Sequence, residues 1–383
     1  VLYVNLQRML IINHIKIIPL FIFIGLFNHA TPSHGDDSTS LVFASGEKGT
    51  PYYKFSVLIS QQLSRGLNKG LTTSIITTQG SVESLNLIAQ KKADLAIVQG
   101  DIAYYSHNGK NLFPMNRSFK LVYPLFLEHI WIISKAGSDF KIFGDLKNKI
   151  IALGAEGSGT RHNALDVLSA SGLEEGIDFV GSSLSLKDSI VGLMDGSIDA
   201  MFFTGQSVPE RIQKAPGEYT FHGIPERLAN QIIKKNPPYK KSVIDAPGGR
   251  DIQTLSVRAL LVGREKLSSN EIEGVIQSVI NLSSDLAKEG FDLDPLSEII
   301  KKQPVPLNRY GREMFEELGY IKEKDRAHFV FFVILMIIIF VMYCGRTVKS
   351  YDSSGQPVET SDSLTQRLIY FGAKGEAFIY TLL

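Results

Sequence analysis

The sequence predicts an α/β protein of two similar lobes, and three observations lead there. Two stretches run through the same order of signals: apolar strand, glycine-threonine turn, amphipathic helix, strand, serine-bearing turn, amphipathic helix, and a short apolar strand introduced by an aspartate. The spacing agrees, since Leu41 to Thr50 and Ile151 to Thr160 each span nine positions, and Asp94 to Gln99 and Asp199 to Thr204 each span five. Strands alternating with helices of this length imply parallel β-α-β units, one set per lobe.

The first set is LVFASGEKGTPYYKFSVLISQQL (41–63) followed by TTSIITTQGSVESLNLIAQKKADLAIVQGD (72–101). The second is IIALGAEGSGTRHNALDVLSASGL (150–173) followed by DFVGSSLSLKDSIVGLMDGSIDAMFFTGQ (178–206). Residues 206–258 are rich in Pro and Gly and read as irregular connection. A strand resumes within 253–267, a helix capped by Ser269 runs to Gly290, and another helix occupies 308–320. These last elements lack a third Gly-Thr turn, so they are assigned to lobe one after the chain returns from lobe two. The expected boundaries are 36–128 and 223–326 for lobe one and 129–222 for lobe two.

The ends have a different character. A basic start from Arg8 to Lys16 precedes the apolar run 17–27 and then Ala30, Ser33 and Gly35, which predicts an export signal over 1–35, with an uncleaved anchor as the other reading. Residues 329–345 carry no charge and are flanked by Lys324, Arg326, Arg346 and Lys349. That pattern predicts one membrane-spanning helix over 327–345 in preference to a buried core helix, and a short cytoplasmic tail over 346–383.

With 383 residues, 44% apolar and 21% charged, the chain is long enough to bury a sizeable core. Forty basic and 39 acidic residues leave a net charge of +1, so no global field draws it to nucleic acid. The single cysteine, Cys344, lies in the C-terminal apolar run, which excludes an intrachain disulfide and a cysteine-based metal site.

In sheets of this kind, ligands sit beyond the carboxyl ends of strands, where loops become helix starts. Four such turns are available, at 46–52, 79–83, 154–161 and 182–187, and two lobes presenting them to each other form a cleft. Thr50 before Pro51 is a helix cap followed by Tyr52. Ser158, Gly159 and Thr160 play the equivalent part in lobe two, offering backbone N–H groups and a positive helix end to an anion. Arg161 suits either a bidentate bond to a carboxylate or a solvent-facing position. Gln99 and Thr204 end corresponding strands and offer amide and hydroxyl groups. Ser81 opens a helix, with Glu83 near, as a cap or a cleft residue.

Reactive chemistry lacks its residues. The turn at 154–161 has no lysine for a P-loop and its glycine spacing is the reverse of a dinucleotide fingerprint. Glu156 and Thr160 stand where a nucleophile elbow around Ser158 needs glycines, and no His-x-x-x-His occurs. Non-covalent binding without a cofactor is what remains, and no enzyme activity is expected.

The segments GTPYY (49–53), TQGSVESLNLIAQKKADLAIVQGDIAYYSHNG (78–109), VYPLFLEHIWIIS (122–134), GAEGSGTRHNA (154–164), DGSIDAMFFTG (195–205) and PVPLNRYGREMFEELGY (304–320) together resemble the TAXI family of extracytoplasmic solute-binding proteins. The resemblance implies the type 2 periplasmic binding-protein fold and the role of substrate-capturing subunit of a TRAP transporter. It also implies a small carboxylate such as glutamate or 2-oxoglutarate as ligand, and a sodium-driven membrane permease as partner. The site residues that carry over are Gly49, Thr50, Tyr52, Ser81, Gln99, Ser158, Gly159, Thr160, Thr204 and Gly205, beside Arg161 from the helix argument. With the C-terminal helix as tether, the expected place is the periplasmic face of the bacterial inner membrane. A membrane-anchored sensor that signals ligand occupancy through that helix is the alternative.

Overall fold

A computed structural model describes residues 39–65, 71–111, 113–291, 293–321, 335–337, 350–351 and 357–358. Lobe one opens with β1 (Thr39–Ser45), α1 (Pro51–Arg65), β2 (Leu71–Thr77), α2 (Ser81–Ala89), β3 (Leu95–Gln99) and α3 (Gly100–Asn108). β4 (Phe119–Lys135) then crosses to lobe two. That lobe contains β5 (Ile150–Ala152), α4 (Gly159–Ala170), β6 (Val180–Ser182), α5 (Leu186–Asp195), β7 (Ala200–Gly205), α6 (Glu210–Gln213), β8 (Tyr219–His222), α7 (Glu226–Lys235) and β9 (Lys240–Ala246). β10 (Arg250–Arg264) returns to lobe one, which α8 (Ser269–Lys288), α9 (Leu296–Ile299) and α10 (Arg309–Glu317) complete.

The strands follow the order β2-β1-β3-β10-β4-β7-β5-β6. β1 pairs in parallel with β2 and β3, and β5 in parallel with β6 and β7, so the two halves have the same 2-1-3 arrangement of parallel strands. This is the duplication the sequence signals, seen as topology. Between the halves lies a long antiparallel ribbon of β4 and β10, which among the described residues are the strands that run through both lobes. Their length explains the role: β4 has 17 residues and β10 has 15, enough to serve one lobe and continue into the other.

Each lobe has its own core, because parallel strands covered on both faces by helices must be apolar on both faces. In lobe one, Ala44, Leu85, Val98, Ile102, Phe119, Leu260 and Val262 pack together. In lobe two, one layer gathers Ile130, Ile151, Val167, Phe202, Ile224, Leu228, Ile232, Leu255 and Val257, and a second gathers Trp131, Leu193, Met201, Phe221, Ile244 and Ile252.

Those memberships move the lobe boundary. Residues 224–257, expected in lobe one as part of 223–326, pack into lobe two. The physical reason is pairing: β8 adds to the Ile132–Lys135 end of β4, and β9 adds to the Arg250–Ser256 half of β10. The stretch 206–258 also holds α6, β8, α7 and β9 and the first part of β10, where irregular chain was expected. They are short and polar in sequence, and β9 buries only Ile244 and Ala246. A third correction concerns α8, capped by Ser268 rather than Ser269. The Ser268 hydroxyl receives the Glu271 N–H at 3.3 Å and the Glu271 carboxylate receives the Ser268 N–H at 2.6 Å, a reciprocal capping box.

Residues Ile321–Leu383 form a second unit. Within it, β11 (Ser350–Tyr351) pairs antiparallel with β12 (Pro357–Val358), and 335–337 are helical. The expected signal over 1–35 lies outside the described residues. So do the expected spanning helix over 327–345 and the tail over 346–383, apart from those few residues. Among the described residues, no helix is long and apolar enough to cross a membrane.

Candidate functional site

Four turns that end parallel strands meet at one cleft. In the first, Gly49 has φ 89°, a left-handed conformation that glycine alone adopts freely, and Thr50 closes the turn with a 2.7 Å bond from its hydroxyl to Glu47 O. α1 then starts at Pro51, where the missing N–H has no cost. In the second, Gly80 has φ 143° and precedes Ser81, whose hydroxyl receives the Gln99 N–H at 3.0 Å and so ties this turn to the end of β3. In the third, Ser158 caps α4 by receiving the Arg161 N–H at 3.2 Å. In the fourth, Ser185 caps α5 through Asp188 N–H at 3.1 Å.

The cavity they surround opens to solvent, with about 780 Å³ of unfilled space counted out through that opening. Its wall includes Gly46, Glu47, Thr50 and Tyr52 from the first turn, and Gln79, Gly80 and Ser81 from the second. Gly154, Ser158, Gly159 and Thr160 come from the third, and Leu186 and Ser189 from α5. Gln99, Glu128, Phe202, Phe203 and Thr204 come from the strand ends. The lining holds two carboxylates, Glu47 and Glu128, and no Lys, Arg or His. Positive potential comes instead from helix ends, since the first-turn N–H groups of a helix have no intrahelical acceptor and carry about half a unit of charge.

Glu128 sits where the ribbon passes from one lobe to the other, opposite Val257 on β10. It is 4% exposed, and the Tyr52 hydroxyl donates to one of its oxygens at 2.6 Å. Burial raises its carboxyl to about 8; the Tyr52 bond opposes that rise and the charge of Asp101 adds to it. The same burial and the Glu128 charge hold the Tyr52 phenol well above its usual range.

The lobes touch across the cleft mouth. Val82 N–H donates to Gly157 O at 3.1 Å, and the Gly159 backbone lies directly against the Gln99 side chain. Behind Gln99 a buried polar cluster spans the divide. Asn163 of α4 donates to Asp101 of α3 at 2.6 Å, and Thr204 donates to Asn163 at 2.9 Å. Tyr105 and Tyr239 donate to Asp166 at 2.7 and 2.8 Å. Burial, then the charge of Asp166, raises Asp101 to about 7, and burial raises Asp166 as well. The rings of Phe113 and His162 add an apolar contact between the lobes at 4.8 Å.

Of the residues the sequence singles out, Thr50, Tyr52, Ser81, Gln99, Ser158, Gly159, Thr160 and Thr204 line this one cavity. Three do not. Gly49 shapes its turn without reaching the cavity. Gly205 uses its carbonyl to receive the Trp131 indole at 3.1 Å. Arg161 is held within lobe two, its Nη2 bonding both oxygens of Glu175 at 3.0 and 3.1 Å and its Nε meeting Glu156 at 3.2 Å, while its buried Nη1 has no partner among the described residues. Sequence reasoning missed Glu128, Phe202 and Phe203. Glu128 had a legible signal, being the only acidic residue in the apolar run from Phe119 to Lys135.

Two α/β lobes joined by a shared ribbon, with paired helix starts facing a small cavity, define a two-lobed binding architecture. Residues 43–319 match the NMT1-like family, and the chain belongs to it. Among solved structures, it is similar to the substrate-binding protein of an amino acid ABC transporter (13% identity, TM-score 0.41, 66% of this chain and 96% of that one). It is also similar to a periplasmic sulfonate-binding protein from Methylobacillus flagellatus KT (18% identity, TM-score 0.41, 66% and 72%). A third likeness is to the glutamate-bound GluR0 ligand-binding core from Nostoc punctiforme (14% identity, TM-score 0.41, 65% and 96%).

Proposed function

We propose that the protein is an extracytoplasmic solute-binding subunit that captures a small carboxylate between its lobes and delivers it to a TRAP-type membrane permease. The observation that carries this reading is the convergence of four helix N-termini on a cleft whose lining, among the described residues, includes no basic side chain. An anion held there is bound by backbone N–H groups, with the hydroxyls of Ser81, Ser158 and Thr160 assisting. On this reading the lobes close around the ligand, and the contacts between them are those of the closed form. The resemblance to the TAXI family supplies the transporter class, the periplasmic location and the permease as partner.

The test is calorimetric titration of the full chain with L-amino acids, their 2-oxo counterparts, dicarboxylates and sulfonates, alongside thermal melting. A ligand at 100 times its Kd adds about 2.7 kcal/mol of stability. A chain that binds no small acid is not a carboxylate-capturing subunit.

Arg161 gives a contrasting expectation. Because Glu156 and Glu175 already hold it, Arg161→Ala leaves the affinity for the acid found by that titration within about twofold and lowers stability by about 1 to 2 kcal/mol, part of a hydrogen-bonded ion pair. A tenfold loss of affinity with unchanged melting would instead put the guanidinium on the ligand.

A further inference from the structure

One hydroxyl stands between two carboxylates where the lobes meet. Tyr239 Oη of lobe two lies 2.8 Å from Asp166 Oδ2 on α4 and 3.2 Å from Asp101 Oδ2 on α3, across the divide. A phenol has one hydrogen to donate, and Asp166 is the nearer acceptor. Asn163 contributes both its amide hydrogens, one to Tyr239 Oη at 2.8 Å and one to Asp101 Oδ2 at 2.6 Å, while its own oxygen receives the Thr204 hydroxyl. The contact between Asp101 and Tyr239 is therefore short of one hydrogen. With Asp101 ionised, two bare oxygens face each other there; with Asp101 protonated, its hydroxyl donates to Tyr239. Asp101, Asn163 and Tyr239 are each no more than 2% exposed, so the cluster must complete this bond itself.

We propose that this cluster is an interlobe proton site: Asp101 takes up a proton as the lobes close, completing a bonded chain from Asp101 through Tyr239 to Asp166, and ligand affinity is linked to pH through it. This rests on the reading of the cleft as one that closes around a ligand, and it adds the proton as a second ligand of the closed form. Thr204 ties the two, since it lines the cleft and bonds Asn163.

Parting the lobes takes Asp101 away from Asn163 and Tyr239, and a carboxyl facing water ionises near pH 4. In the closed form burial, then the charge of Asp166, holds Asp101 at about 7. The closed form thus binds the proton more tightly, so acid favours closure, and affinity falls as pH rises from about 4 to 7 and levels off above that. The groups packed around Asp101 leave it as the member that titrates. Tyr105, also on α3, donates to Asp166. Burial raises Asp166, but the two phenols and the charge of Lys235 from α7 act against that rise. Glu128 from β4 and Tyr52 from α1 are acids, raised by burial and further by the charge of Asp101. Arg258 of β10 passes its backbone beside Gly100, but its guanidinium is held by Leu125 O and Asp294.

The experiment is calorimetric titration of the full chain and of Asp101→Asn with L-glutamate and with 2-oxoglutarate, in buffers of different ionisation enthalpy at pH 5, 6, 7 and 8. Glu128 is present in both chains, so the difference between them isolates Asp101. Per ligand bound, the unaltered chain is expected to take up about 0.9 proton more than the variant at pH 6 and about 0.1 more at pH 8. Its affinity relative to the variant is expected to fall about eightfold from pH 5 to 6, about fivefold from 6 to 7 and about twofold from 7 to 8. Equal proton counts, or a ratio of affinities that does not move with pH, overturn the inference and leave the capture reading intact. Should Asp101→Asn fail to fold by its melting curve, Tyr239→Phe takes its place: it removes the acceptor of the proton, and a count equal to that of the unaltered chain sinks the proposal. If neither acid binds, the capture reading fails for both, and the free chain decides this inference alone. Energy transfer between dyes on Lys48→Cys in the first turn and Lys187→Cys on α5, in a Cys344→Ser background, is then expected to fall as pH rises from 5 to 8. A constant signal sinks the proposal.

Discussion

Gly80→Ala is expected to weaken ligand capture by about 100-fold or more and to leave the lobes apart when ligand is added. A Cβ at position 80 falls 2.8 Å from Ser158 Cα, across the cleft and against backbone that has no flexible side chain to yield. The φ of 143° adds strain of about 1 to 3 kcal/mol, since side chains are excluded from that region. A loss of about 2.7 kcal/mol in closure corresponds to 100-fold in affinity. Titration calorimetry reads the affinity, and small-angle scattering reads whether ligand still compacts the chain. An unchanged affinity would show that closure at this contact is not part of binding. The equivalent contact at Gly159 is softer, because the atom its Cβ would meet is the end of the Gln99 side chain.

The second large effect concerns the cluster behind the cleft. Asp101 is raised to about 7 in the folded chain from near 4 when unfolded, so the folded state binds its proton more tightly. The stability it contributes is complete below about pH 4 and is lost as pH rises through 7, an amount on the order of 4 kcal/mol. Asp101→Asn keeps an oxygen for the Asn163 donor and places its NH2 group where the carboxylate oxygen has no partner. The variant is therefore expected to unfold at a urea concentration that falls much less between pH 5 and 8, and to exceed the unaltered chain at pH 8 by roughly 1 M. Glu128, raised to about 8, and Asp166 keep some slope in both proteins. Parallel curves for the two would mean that Asp101 is ionised throughout.

The difference between what the sequence declares and what it conceals follows the range of the interactions. Thr50 before Pro51, the serine caps and the glycine turns are local devices, and each is readable from a few neighbouring residues. They determine four helix starts, and helix starts at strand ends converge by the geometry of parallel sheets. Eight of the residues singled out on those grounds line one cavity. The partners of Arg161 and the neighbours of residues 224–257 depend on which distant segment arrives beside them. Arg161 looked free because Glu175 reaches it only after α4 has run past, and 224–257 looked unattached because β4 and β10 offer their edges at a distance. Glu128 is intermediate. Its isolation among apolar residues marks it as buried, but its place in the cleft depends on where β4 crosses between lobes.

That crossing has a mechanical consequence. A paired ribbon yields to bending normal to its face and resists shear along the strands, so β4 and β10 act as a leaf spring with one soft direction. The pairing register of the two strands shifts between Arg258 and Leu260, next to the Val257–Glu128 pair. The contacts of Gly80 with Ser158 and of Gln99 with Gly159 both lie on the side of the ribbon where the two lobes face each other. The lobes are consequently not interchangeable modules: exchanging one with a relative's means cutting both strands and restoring their stagger, or those contacts meet out of line.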